Sequence, residues 1–224
     1  MTDIRTETVP LVDGSTLRLT VAEPDGRVRG GIVVLHEARG ITDSFRDLVR
    51  DLAGDGWLAV APHLYHRDGA DEVAENQADE RAEKLDRDEV LADTDTAFGW
   101  LAERGVGSDR MGVVGFDVGG TVALLVAAKR TLGAAVTVAN DVPSSSVTAL
   151  VSAAQGLTCP WLGIYGADGT GDPEIDRLRV AAASSEVATD IVVYARKGDR
   201  FDDDSETASD AWQRTLNWFD SHLR

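Results

Sequence analysis

The segment Gly115-Phe116-Asp117-Val118-Gly119-Gly120 constrains this chain more than any other. A short apolar run, Met111-Gly-Val-Val-Gly115, leads into it, and an apolar helical pattern, Thr121-Val-Ala-Leu-Leu-Val-Ala-Ala128, follows. A strand that becomes a helix within so few residues must turn sharply, and a Cβ two positions either side of the apex would strike the backbone. Gly115 and Gly119 meet that need. The pattern is the frame of a nucleophile elbow, with Asp117 at the apex where the motif carries Ser or Cys.

The rest of the chain alternates in the same way. Two short alternating segments, Ile4 to Pro10 and Thr16 to Ala22, flank Val12-Asp13-Gly14-Ser15 and predict an antiparallel hairpin. Apolar runs predict strands at Gly31 to Leu35, Trp57 to Ala61, Gly112 to Val114, Ala134 to Ala139, Pro160 to Tyr165 and Asp190 to Tyr194. Helical patterns lie at Ser44 to Ala53, about Asp88 to Arg104, from Gly119, Pro173 to Ser184, and from Ser205. The charged stretch Asp68 to Glu89 reads as an exposed loop or helix, and the segment between Ala139 and Pro160 as a loop. Short, fully apolar strands alternating with helices argue for an α/β fold with a doubly wound, mostly parallel sheet, helices on both faces and an N-terminal antiparallel hairpin. Ligands bind beyond the carboxyl ends of such strands. That rule points to residues 35–40, 62–67, 115–120, 166–172 and 196–201.

The 224 residues contain no linker or repeat, so one domain over residues 1–224 is expected. A formal charge of -17 with no basic face argues against nucleic acid and anionic membrane as partners. No apolar run reaches membrane-spanning length, and Met1-Thr-Asp-Ile-Arg-Thr-Glu lacks a basic-then-apolar signal, so a cytoplasmic location is expected. Cys159 is the only cysteine, which excludes disulfides within the chain, and its setting suits a small core residue.

Five segments, in order, resemble the dienelactone hydrolase family of α/β-hydrolases. They are Val34 to Gly40, Gly56 to Tyr65 with its Pro62-His63-Leu64-Tyr65 ending, the elbow, Pro160 to Gly166, and Val193 through Phe201. The resemblance implies an α/β-hydrolase fold, a small-molecule substrate or ligand, a monomer or homodimer, and hydrolysis of lactones or carboxylic esters. It also places the site. The nucleophile position is Asp117, the histidine position is Asp199, the acid falls at Gly169 with Asp168 one residue early, and Glu37 keeps the acidic residue of the early loop. The oxyanion donors match the backbone N–H groups of Val118 and Ala38, and Arg39, Tyr65, His66 and Arg200 fall on the pocket rim.

Acyl transfer needs a nucleophile and a base that accepts and returns its proton. His36, His63, His66 and His222 are the only histidines, and none lies on the loop after Tyr194. Three readings of the acids stay open. The Asp117 carboxylate folds onto the elbow N–H groups at the helix N-terminus and blocks the oxyanion hole, giving a non-catalytic or small-molecule-binding protein with a degenerate triad. Alternatively Asp117 is a nucleophile or acid/base, with Asp199 or Glu37 as base. Thirdly, the acids hold Mg2+ or Ca2+, which suit carboxylates better than zinc does. They fit no ligand-spacing motif, so no metal residue is assigned and no cofactor is expected.

Other features read as structure. His63 and His66 follow a strand and a proline, so they are no helical metal pair. The acids after Phe201 lack the glycine and distal glutamate of a calcium loop, and Asp204 or Ser205 suits a helix cap. Trp212, Leu216 and Phe219 predict the buried face of the last helix, and Trp100 with Leu101 belongs to the core. Val142 to Ser146 marks a pocket-lining loop in which Ser145 has no base.

Overall fold

The computed structural model describes residues 3–168, 171–196 and 200–223. Its eight strands form one mixed sheet in the order β1-β2-β4-β3-β5-β6-β7-β8, and the chain makes two compact units, Met1–Val113 and Val114–Arg224. The strands are β1 (Ile4–Pro10), β2 (Thr16–Ala22), β3 (Gly30–Leu35), β4 (Trp57–Pro62), β5 (Met111–Phe116), β6 (Ala134–Ala139), β7 (Trp161–Ala167) and β8 (Thr189–Ala195). Every residue of β3, β4, β6 and β7 is buried. Successive side chains point to opposite faces, so both faces of the sheet are covered by helices.

In the first unit β1 and β2 pair antiparallel from Ile4↔Ala22 to Pro10↔Thr16. Their turn is fixed by Asp13, whose side chain accepts the Ser15 N–H at 2.9 Å, and by Gly14 at φ 85°. β2 runs antiparallel and β3 parallel to β4. Helix α1 (Asp43–Gly54) starts at Thr42, which accepts the Phe45 N–H at 3.2 Å, and buries Phe45, Val49, Leu52 and Ala53 against β4 and β2. The charged stretch resolves into a 3-10 turn at His66–Asp68 and helix α2 (Glu75–Glu83), which buries only Ala78. Helix α3 (Arg87–Glu103), capped by Asp86, carries Trp100 and Leu101 into the core as expected.

In the second unit β6, β7 and β8 pair parallel without a break in register. The helices are α4 (Val118–Ala127), α5 (Val147–Gln155), α6 (Pro173–Ala182) and α7 (Ser205–His222). Helix α5 corrects the expectation of a loop between Ala139 and Pro160. Val147, Leu150, Ala153 and Ala154 are its buried residues, an i, i+3, i+6, i+7 stripe that packs against α4 and α6. The buried stripe of α7 is also corrected. Ala211, Thr215 and Phe219 are buried, whereas Trp212 and Leu216 flank them half-buried. Asp204 caps α7 by accepting the Thr207 N–H at 3.2 Å, and Cys159 is a buried free thiol, both as expected.

Candidate functional site

The elbow forms between β5 and α4. Asp117 has φ 46° and ψ -107°, and it is the only non-glycine residue with positive φ among the described residues. Its backbone is pinned at both ends, the N–H donating to Val138 O at 2.8 Å and the carbonyl accepting from Thr121 N at 3.0 Å. A Cβ on Gly115 would overlap the Gly119 carbonyl, which is why the turn requires glycine there. One on Gly120 would sit 3.0 Å from the Thr137 methyl. The sequence thus accepts an unfavourable backbone at one residue, and surrounding contacts hold it in place.

The Asp117 carboxylate does not turn back onto the N–H groups of α4, because it makes no side-chain cap. Its Oδ1 accepts the Asn140 backbone N–H at 3.0 Å and, more weakly, Asn140 Nδ2 at 3.5 Å. Its Oδ2 accepts Arg200 Nη1 at 2.8 Å. Arg200 also holds Asp202 through two bonds of 2.9 Å. Asn140 Oδ1 accepts the Phe201 N–H at 2.9 Å, so one asparagine joins the end of β6 to both the elbow and the segment before α7.

Burial is the largest influence on Arg200 and alone would pull its guanidinium down. The two carboxylates outweigh it and hold the pKa above the ordinary arginine value. Burial likewise pushes the Asp202 carboxyl up, and the Arg200 hydrogen bonds and charge bring it below the ordinary value. Asp141 is raised by burial and by the Asp117 charge. Beside it lies a shallow crevice lined by Gly120, Thr121, Ala139, Asp141, Val142 and Tyr165, too narrow to enclose a water molecule. Asp168, at the end of β7, is exposed and forms a two-bond pair with Arg196 at 3.0 and 2.9 Å.

In the first unit, buried His36 donates from Nδ1 to Glu37 O at 2.7 Å and accepts the Leu64 N–H at Nε2, 3.1 Å. Accepting at Nε2 requires a neutral imidazole with its proton on Nδ1, and burial lowers its pKa to about 4. Tyr65 donates to Ala38 O at 2.7 Å, and burial raises its phenol to about 12. Together His36 and Tyr65 fix the carbonyls on both sides of Ala38. Arg39 pairs with Glu72 at 2.6 Å. His63 joins Thr20 at 2.8 Å and Asp71 at 2.6 Å, and His66 joins fully buried Asp93 at 3.0 Å.

The family model described as "Dienelactone hydrolase family" matches residues 17–223. The chain belongs to the dienelactone hydrolase family. A Yersinia pestis protein named "Putative carboxymethylenebutenolidase" is 31% identical over 234 residues, covering 96% of this chain and 88% of the relative. A Rhodococcus opacus "Carboxymethylenebutenolidase" is 29% identical over 207 residues, covering 86% and 81%. The crystal structure of a Klebsiella pneumoniae protein, named "Putative Dienelactone Hydrolase", superposes with a TM-score of 0.82 at 31% identity over 98% of each chain. These likenesses bear out the family resemblance, the α/β-hydrolase fold and the hydrolase class.

Among the dienelactone hydrolase positions expected from sequence, the second unit brings Asp117 and Arg200 together and leaves Asp168 engaged with Arg196. Val118 is the first residue of α4. Glu37, Ala38, Arg39, Tyr65 and His66 lie in the first unit on the loops after β3 and β4, with Tyr65 and the His66 side chain buried. Asp199 and Gly169 lie outside the described residues. Asn140 was not anticipated, although it directly follows β6 and the carboxyl-end rule applied there would have found it. No group of three or more His, Cys, Asp or Glu among the described residues is arranged to hold a metal ion, and no helix among them is long and apolar enough to cross a membrane.

Proposed function

We propose that this dienelactone hydrolase family member, acting as one domain, does not hydrolyse esters through a Cys/Ser-His-Asp triad and instead binds a small neutral or cationic molecule at its acidic site. One observation carries the reading: both oxygens of Asp117 are engaged, one by Asn140 and the other by the Arg200 guanidinium. A carboxylate whose charge is paired with a guanidinium and whose two oxygens both accept hydrogen bonds is a weakened attacking group. The residue types agree with it, since the family resemblance assigns Asp117 to the nucleophile position and Asp199 to the histidine position. Four carboxylates, Asp117, Asp141, Asp168 and Asp202, share this end of the second unit with the guanidiniums of Arg196 and Arg200, which favours a cationic ligand over an anionic one.

The second reading is a hydrolase in which Asp117 is the nucleophile or acid/base and Asp199 or Glu37 the base. The retained backbone at φ 46° favours it, because an elbow with no reacting group at its apex gains nothing from the strain. Hydrolysis of p-nitrophenyl esters and a dienelactone panel separates the two. The native protein, Asp117→Asn, and Asp117→Cys combined with Asp199→His are compared, alongside thermal-shift binding of small amines to the native protein. Turnover only in the double variant, with amine binding to the native protein, is the expected result. Turnover by the native protein overturns the first reading, and its loss in Asp117→Asn establishes the second.

A further inference from the structure

We propose that the outer edge of β8 is the contact surface for a second copy of this chain, joined as an antiparallel β8–β8 pair about a two-fold axis through Val193. The two edges of the sheet differ. β1 carries Arg5 and Glu7, ends in Pro10, and ties Arg5 to Glu7 and Glu23, so charge and proline guard it against pairing. β8, Thr-Asp-Ile-Val-Val-Tyr-Ala, has no proline or lysine, is mostly β-branched or aromatic, and leaves Val193 39% exposed.

The hydrogen-bond parity of β8 fixes which registers are possible. Ala188 O accepts the Trp161 N–H, and the Arg196 N–H donates to Ala167 O, with the β7–β8 register unbroken between them. In a parallel ladder alternate residues address the same neighbour. Even-numbered residues therefore face β7, and Thr189, Ile191, Val193 and Ala195 present their N–H and C=O groups outward. An antiparallel mate must oppose odd residues to odd ones.

Side chains choose among those registers. Centred on Val193, the pairing opposes Val193 to itself, Ile191 to Ala195, Val192 to Tyr194, and Asp190 to Arg196. The Val192–Tyr194 pair is β-branched against aromatic, and the Asp190–Arg196 pair is opposite in charge and occurs twice by symmetry. Both fall at non-hydrogen-bonded positions, where side chains approach most closely. Asp190 is exposed. Arg196 spends Nε and Nη2 on Asp168, which leaves its Nη1 edge for the Asp190 of the second copy. Centred on Val192 instead, Asp190 would face Tyr194 and the charges would not meet.

Sedimentation equilibrium of the full chain over a range of concentrations tests this. The native protein should form a dimer. Asp190→Arg, which sets arginine against Arg196 twice, should weaken dimerisation about tenfold or more. Val193→Pro should abolish it with the fold intact, because the N–H it removes points away from β7. If that variant does not fold, Val193→Cys should cross-link to a homodimer on oxidation, since Cys159 is buried. A monomer at every concentration, or a dimer unaffected by Asp190→Arg, would overturn the proposal.

Discussion

Arg200 binds Asp117 at 2.8 Å while gripping Asp202 with two further bonds, so one guanidinium ties the elbow to the segment preceding α7. The pair is partly exposed, with 36% and 26% of the two side chains accessible, which places its strength between that of surface and buried ion pairs. A double-mutant cycle of Asp117→Asn and Arg200→Met, read by urea denaturation, should give a coupling energy of about 1 kcal/mol. Additive losses would mean that the two residues act independently.

Gly115→Ala should be among the most damaging single substitutions in the chain. The added methyl overlaps the Gly119 carbonyl, and that is backbone at the start of α4, which cannot move without breaking the turn. A loss of more than about 3 kcal/mol, or failure to fold, is expected in thermal denaturation. Wild-type stability would show that the elbow is looser than its dihedrals indicate.

What the sequence disclosed, and what it did not, follows from range. The hairpin, the elbow and the buried strands are written in neighbouring residues, through alternation, glycine spacing and unbroken apolar runs, and each was found within a residue or two. Helix α5 is hidden in the sequence because Pro143-Ser-Ser-Ser146 is a loop signal and the Val147, Leu150, Ala153 stripe behind it is short and built largely of small residues. On α7 the large side chains Trp212 and Leu216 suggested the wrong centre for the buried stripe. Burial is set by what the helix packs against, and small Ala211 and Thr215 face inward. The direction of the Asp117 carboxylate was beyond reach for a similar reason. It depends on Asn140 and Arg200, which are distant in sequence and meet Asp117 only after the sheet has formed.

Asp93 is fully buried in the middle of α3, held by Arg67 at 2.6 and 3.0 Å and by His66. The two sides of this pair should not be equivalent. Asp93→Leu leaves an arginine that is already 28% accessible and can turn into water, whereas Arg67→Met leaves a buried carboxylate without its cation. Arg67→Met should therefore cost about 3 kcal/mol or more and Asp93→Leu clearly less. Equal losses in urea denaturation would show that Asp93 is not the costly member.

His36 should contribute to the pH dependence of stability in the first unit. Its pKa falls from 6.5 to about 4 in the folded chain, first through burial and slightly through the charge of His63. Between these values the unfolded chain binds a proton that the folded chain refuses, so stability is full above about pH 6.5 and is lost as pH drops towards 4. The loss from this group approaches about 3 kcal/mol, and His63, whose pKa burial also lowers, acts in the same direction. His36→Gln removes the group that must stay neutral but also disturbs the bond from Leu64 N–H, so it should be less stable than the native protein near neutrality. As the pH is lowered the native protein loses its advantage and the two urea midpoints should converge. A gap that stays constant from about pH 7 to pH 4.5 would mean that His36 is protonated as easily folded as unfolded, and that the carbonyl of Glu37 is not held by a neutral imidazole.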